Sequence, residues 1–261
     1  MPYPHVPFYT LTAIALAVFA WGFGSRVAFW LKVRGSAYAP PFSAPQATPA
    51  HAISLATFLA DALLQRQILR QSRLRWAMHM SIMWGFIELF FVGSLGNFFM
   101  ERGWVSISKD TPWFAALNES AGLLLMLGVS IGFYRRYFLK PAHLRSQGED
   151  LVVLTLLGVL GVTGFLLEAG RFLAITEAAP NAPYSYVGHL LYLAAHRMNA
   201  GWLGVYRVLW WLHAVMGLGL VAYIPYSKLL HMFSSPLLIA TQRPVQTRLT
   251  SAAKVPATAE G

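Results

Sequence analysis

The stretch VLWWLHAVMGLGLVAYIPYSKLLH, residues 208–231, is apolar for long enough to cross a bilayer and carries two histidines, His213 and His231. The hydrocarbon core of a bilayer, about 30 Å thick, takes about 20 helical residues. On one continuous helix the eighteen residues between these histidines make five whole turns, which predicts imidazoles on a common face and about 27 Å apart. Imidazole is costly in lipid unless it has a partner. Two of them on one face at opposite depths are therefore expected to be ligands, and iron is the obvious partner.

The rest of the chain reads the same way. Of its 261 residues, 56% are hydrophobic and only 11% are charged, with a mean hydropathy of +0.50, well outside the range of soluble domains. Five apolar stretches are long enough to span: about Phe8 to Trp30, Trp76 to Phe99, Phe114 to Tyr134, Leu151 to Leu173, and Val208 to His231. Helices rather than isolated strands must cross lipid, because every backbone polar group needs an internal partner there. The expected fold is an all-α membrane protein, a bundle of five transmembrane helices. No Lys or Arg precedes the first stretch, while Arg26, Lys32 and Arg34 follow, so it is expected to remain as a helix and not to be a cleaved signal.

Basic residues set the expected orientation. The connection after the first span carries Lys32, Arg34, Arg66, Arg70, Arg73 and Arg75, and the one after the third carries Arg135, Arg136, Lys140 and Arg145. Both are expected to be cytoplasmic, which places the N-terminus outside and the C-terminus inside. The net charge of +10 then reflects this inside bias and contact with anionic lipid, not nucleic-acid binding. The expected location is a plasma (inner) membrane, crossed several times. The chain has no cysteine; iron-sulfur clusters held by this chain, covalently attached c-type haem, disulfides and thiol catalysis are thereby excluded.

Residues 35–50 read as a proline-rich linker, 54–73 as an interfacial helix, 187–195 as a second surface helix over the outer mouth, and the last 25 or so residues as a polar, partly disordered tail. The expected organisation is a five-helix membrane domain over residues 1–235 and a cytoplasmic tail over 236–261.

His79 lies near the start of the second span, just past Arg73 and Arg75, and His231 ends the fifth, just past Lys228. Matched depth on two helices lets these imidazoles supply both axial ligands of a b-type haem. His213 sits towards the outer side and needs a partner of its own. The matching position, ten residues beyond His79, is Leu89. His196 or His189 folding in from the outer loop, a five-coordinate haem, or no second haem are the options. Glu88, about 13 Å along the helix from His79, is an intramembrane carboxylate and a candidate acceptor of a quinol proton; the competing role is an ion pair with Arg171 or a place at the interface. Glu119 and Glu168 are read as structural. His5, His51 and His143 fall outside the spans and are read as solvated surface residues.

These motifs together resemble the membrane cytochrome b subunit of respiratory nitrate reductase, its gamma subunit. The resemblance rests on His213 and His231 with Pro225-Tyr-Ser-Lys228 and Ser235-Pro236 around them, on Arg135-Arg136-Tyr-Phe, and on Gly148-Glu-Asp150-Leu. The runs from Asp61 to Arg66 and from Leu69 to His79, with Thr163-Gly-Phe-Leu-Leu-Glu168, are similar to a narrower branch, the heterodisulfide reductase E and sulfite-reduction-associated M-type subunits. The resemblance implies a haem b-bearing subunit linking a membrane quinone to a cytoplasmic iron-sulfur protein of the heterodisulfide reductase D type. It implies His79 and His231 as ligands of the cytoplasm-proximal haem, His213 as one ligand of a distal haem, and Lys109 as the nearest counterpart of a lysine at the quinol site.

The expected function is a quinone-linked electron conduit, with menaquinol oxidised near the outer face and electrons passed inward; the reverse direction is equally allowed. A haem-free membrane anchor for a cytoplasmic redox enzyme is the alternative. A transporter is disfavoured by the odd number of spans and the lack of matched broken helices.

Overall fold

A computed structural model describes residues 5–34, 55–140, 148–175, 178 and 182–241. The proline-rich linker, His51, His143, the basic residues Arg145, Arg243, Arg248 and Lys254, and the tail beyond Thr241 lie outside the described residues. Among the described residues the chain is helical, without strands.

Among the described residues five helices are long and apolar enough to cross a membrane: Val6–Lys32, Arg73–Glu101, Pro112–Leu139, Gly148–Ala174 and Trp202–Tyr226. The chain is a multi-pass membrane protein. In order, α1 (His5–Arg34) is followed by two short helices, α2 (Leu55–Ala62) and α3 (Arg66–Gln71). The second span is α4 (Arg73–Ile87), a π-helical stretch Glu88–Leu95 and α5 (Gly96–Glu101). The third is α6 (Pro112–Tyr134), extended by a π-helical turn Arg135–Leu139; the fourth is α7 (Gly148–Ala174). A short helix α8 (Tyr186–Ala195) leads into the fifth span, α9 (Trp202–Tyr223), and α10 (His231–Thr241) closes the described chain.

Two expectations need correction. The interfacial helix over 54–73 is broken in two, because Gln65 takes a left-handed conformation with φ 48°. Trp76 Nε1 donates to the Leu64 carbonyl across this break at 2.8 Å, tying it to the start of α4. More consequentially, residues 208–231 are not one helix. The α9 helix ends at Tyr223, since Pro225 cannot supply the N–H that the next turn needs; the chain passes through a 3₁₀ turn at Ile224–Tyr226. Ser227 is extended at φ −122°, ψ 175°, and its hydroxyl accepts the Leu229 N–H to cap a second 3₁₀ turn. His231 therefore begins a new helix, and five turns of a continuous helix do not set its direction.

The spans pack in sequence. The main contacts are α4 on α6, α6 on α7, α7 on α9 and α9 on α1, with α8 laid on α7 and α10 on α2. Glycines allow the closest approach, as small residues do between helices in lipid. A Cβ at Gly85 would stand 2.7 Å from the Leu125 backbone N, and one at Gly128 would stand 2.7 Å from that of Ile82. The core between α6, α7 and α9 is apolar: Leu125, Val129, Leu154, Leu157 and Leu220. Although α4 and α9 both border this core, they make no comparable contact with each other. That gap positions the site.

Candidate functional site

At one end of the gap His79, projecting from α4, faces His231, the first residue of α10, with ring centroids 5.7 Å apart and planes inclined at 67°. The His79 Nδ1 is buried and has no hydrogen-bond partner in the protein, an arrangement that native structures seldom leave unsatisfied. His231 Nδ1 lies 2.6 Å from the Lys228 carbonyl oxygen. A carbonyl only accepts, so Nδ1 carries the proton and Nε2 keeps its lone pair, the usual state of a metal-ligating imidazole. An ion bound axially by two imidazoles needs centroids about 6 Å apart, from two metal–nitrogen bonds of about 2 Å and about 1 Å to each ring centre. The observed pair fits that requirement.

The turn carrying His231 is fixed by the start of α7. Glu149 accepts the Lys228 backbone N–H at 2.6 Å. Asp150 pairs with Lys228 Nζ at 2.8 Å and with Arg136 at 3.1 Å. The Pro-x-Ser-Lys turn, the Arg-Arg pair and the Gly-Glu-Asp motif are thus one assembly.

Further along the gap lies a cavity of about 530 Å³ bordered by the π-helical stretch, α6, α7, α9 and Phe8 of α1. His213 is on its wall. Its Nδ1 lies 2.8 Å from the Thr163 hydroxyl, which itself points at the carbonyl oxygens of Val159 and Leu160 at 2.8 and 3.1 Å. A hydroxyl has one proton to give; where it goes to one of these carbonyls, the hydroxyl accepts from Nδ1–H, and in that tautomer Nε2 of His213 is the free acceptor. Thr163 is thirteen residues beyond Asp150, a rise of about 20 Å along α7. The two histidines thus stand at different depths, set by α7 and not by their spacing on one helix.

Lys109 lines the same cavity, and so do Glu119 and Glu168. Burial lowers the Lys109 ammonium below the ordinary lysine value, aided by the Arg171 guanidinium and opposed by Glu168, Asp110 and Glu101. Glu168 binds Arg171 through two bonds of 2.7 and 3.1 Å and accepts from Ser185 at 2.9 Å. Arg171 also pairs with Asp110 at 2.6 Å. Glu119 accepts the Val187 N–H at 3.0 Å, which ties down the start of α8. Glu119 and Glu168, read from sequence as structural, make such contacts and in addition face the cavity. Their i,i+4 neighbours gave no hint of that, because the cavity exists only where α4 and α9 part.

Glu88 opens the π-helical stretch with both carboxylate oxygens buried and without a hydrogen-bond partner. Arg171 is not its partner, being held by Glu168 and Asp110, and Glu88 is not among the residues lining the cavity. Leu89 is. His196 is exposed, stacked on Tyr192 at 5.5 Å with its Nδ1 at the Leu193 carbonyl. His189 stacks on the same ring at 6.1 Å. Neither borders the cavity beside His213.

Residues 63–250 match the family model described as nitrate reductase gamma subunit. The chain belongs to that family. Among relatives of this gamma-family chain, an EtfAB:quinone oxidoreductase of Syntrophomonas wolfei is 24% identical over 88% of this chain and 32% of its own length. The E subunit of the dihydromethanophenazine:CoB--CoM heterodisulfide reductase of Methanosarcina thermophila is 27% identical over 72% of this chain and 66% of its own. The probable iron-sulfur-binding oxidoreductase FadF of Bacillus subtilis is 26% identical over 51% of this chain and 19% of its own. The gamma-family chain thus spans about a third of the first relative and about two thirds of the second.

Proposed function

We propose that this chain is the haem b-bearing membrane subunit of a respiratory redox complex, passing electrons between a membrane quinone, menaquinone by the resemblance, and a cytoplasmic iron-sulfur protein of the heterodisulfide reductase D type. The observation that carries this function is the opposed pair His79 and His231, two imidazoles from separate elements at ligand spacing with His231 Nε2 kept free. These two residues would hold the haem. When bound, it supplies a one-electron carrier within the membrane.

The remaining groups have roles of their own. Glu149 and Asp150 hold the Lys228 turn and so orient His231. The polar end of the cavity, with Lys109, Glu119 and Glu168, is where a quinone's oxygens find donors and acceptors away from lipid. The relatives support a quinone and an iron-sulfur partner by their names: one is a quinone oxidoreductase and another an iron-sulfur-binding oxidoreductase. Basic residues cluster at the histidine-pair end, with Arg75 and Arg135 acting on one another there. The positive-inside bias puts this end in the cytoplasm, where the partner docks, and the cavity towards the outer face.

A reduced-minus-oxidised absorbance spectrum of the purified full chain tests the proposal. A b-type band is expected, lost in His79→Ala and in His231→Ala and kept in His213→Ala. A wild-type chain without the band is a haem-free anchor, and the conduit function then fails.

A further inference from the structure

A six-coordinate second haem beside His213 needs a donor opposite it, and among the described residues the cavity supplies none; a five-coordinate one still has to place its two propionates here. Axial protein ligands of haem iron are histidine, methionine, cysteine or tyrosine side chains. Apart from His213, no residue among the described ones that line the cavity is any of these. The position ten residues beyond His79 is Leu89, which borders the space, while His189, whose Nδ1 is buried without a hydrogen-bond partner, and His196 stack on Tyr192 and do not line it. The two carboxylate residues on the wall, Glu119 and Glu168, also oppose a ligand bearing two propionates, since like charges in a low-dielectric site repel strongly.

The same features suit a flat, neutral molecule with a polar head. Along α9 the lining runs from Trp210 to Val221, about 16 Å at 1.5 Å per residue. Lys109 and Ser185 belong to the end where α8 and Arg171 lie, whereas Leu125, Leu157 and Leu220 belong to the apolar core. Glycines keep room for a ring: a Cβ at Gly164 would stand 3.8 Å from the His213 ring, and one at Gly217 would meet nothing within 4 Å. In the tautomer whose Nδ1–H is donated to Thr163, His213 Nε2 is left as an acceptor.

We propose that this cavity receives a quinone or quinol headgroup in the volume where the distal haem would need its second ligand, and that His213 binds the headgroup directly, its Nε2 accepting the quinol hydroxyl's hydrogen bond. The proposal rests on the quinone-linked function above and assigns its site. His213 is then a substrate-binding residue, and the chain carries one haem.

Haem per chain by pyridine haemochrome and binding of menadiol, kept reduced under anaerobic conditions, by equilibrium dialysis, both on the full chain in detergent, test it together. Wild type, His213→Ala and Gly217→Leu are each expected to hold one haem. Wild type binds menadiol saturably; His213→Ala weakens that binding about tenfold, the worth of one hydrogen bond; Gly217→Leu, which fills the cavity without meeting backbone, abolishes it. A second haem in the wild type that disappears in His213→Ala makes His213 a haem ligand and overturns the proposal, leaving the conduit function standing. Equal menadiol binding in all three proteins overturns it as well. A wild type without any haem refutes instead the function on which it rests.

Discussion

Glu149, at the start of α7, accepts the backbone N–H of Lys228 at 2.6 Å across 79 residues of sequence, and the carbonyl of that same Lys228 is the partner of His231 Nδ1. One peptide neighbourhood thus transmits the position of α7 to the imidazole that faces His79. Glu149→Ala removes the acceptor and frees the turn after Ser227. A hydrogen bond to a charged group is worth about 1.5–3 kcal/mol, and the lower end applies at this exposed site, so haem occupancy is expected to fall about tenfold. Glu149→Gln, which keeps an acceptor oxygen, restores most of it. Titrating haem into the apo chain and following its absorbance band measures both; unchanged affinity in Glu149→Ala would remove this positioning role.

Gly85 and Gly128 bring the α4 and α6 backbones together, and a side chain at Gly85 meets the Leu125 N at 2.7 Å and the Ala121 carbonyl oxygen at 2.8 Å. Overpacking of this kind costs about 1–3 kcal/mol. Gly85→Ala is therefore expected to lower the unfolding temperature in detergent. Gly219→Ala on α9, where a Cβ meets nothing within 4 Å, is expected to leave it unchanged or raise it. Equal melting of the two variants would show that the close approach is not needed.

Arg171 is 4% exposed and neutralises Glu168 and Asp110 together. Arg171→Met leaves two carboxylates without their cation at a buried site, a loss of about 3–5 kcal/mol. Adding Glu168→Gln to that variant should recover a substantial part. Thermal unfolding of the two variants beside the wild type decides this, and a double variant no more stable than the single one would deny the ion pair its role.

Lys109 has its ammonium lowered by burial, so its charge is lost at a pH below that of an ordinary lysine. Quinol-linked turnover that needs this charge has a falling limb on the alkaline side, earlier than free lysine would give. Lys109→Arg stays charged throughout the accessible range and is expected to move that limb to higher pH, whereas Lys109→Gln lowers turnover at every pH. A pH–rate profile of the assembled complex checks the sign: a limb that stays in place in Lys109→Arg belongs to another group.

Much of the bundle was legible in the chain because burial in lipid is a local property. The spans around Phe8 to Trp30 and Leu151 to Leu173 are recognised by apolar length alone, and the helices found extend those limits by only a few residues. The proximity of His79 to His231 was legible too, since depth can be counted from the basic residues that flank each span. The direction of His231 was not. Pro225 and Ser227 end one helix and cap the next, and the extended Ser227 between them discards the rotation that residue counting assumes. The break at Gln65 escaped for a similar reason, because left-handed backbone at a non-glycine residue has no sequence signal of its own.

By itself, then, the sequence determined the five spans found among the described residues, because hydropathy is summed along the chain. The tertiary structure alone decided that α4 and α9 stand apart. From that gap follow the cavity beside His213 and the turning of Glu119 and Glu168 towards it. A void is a relation among helices that touch other neighbours, and no single stretch of residues carries it.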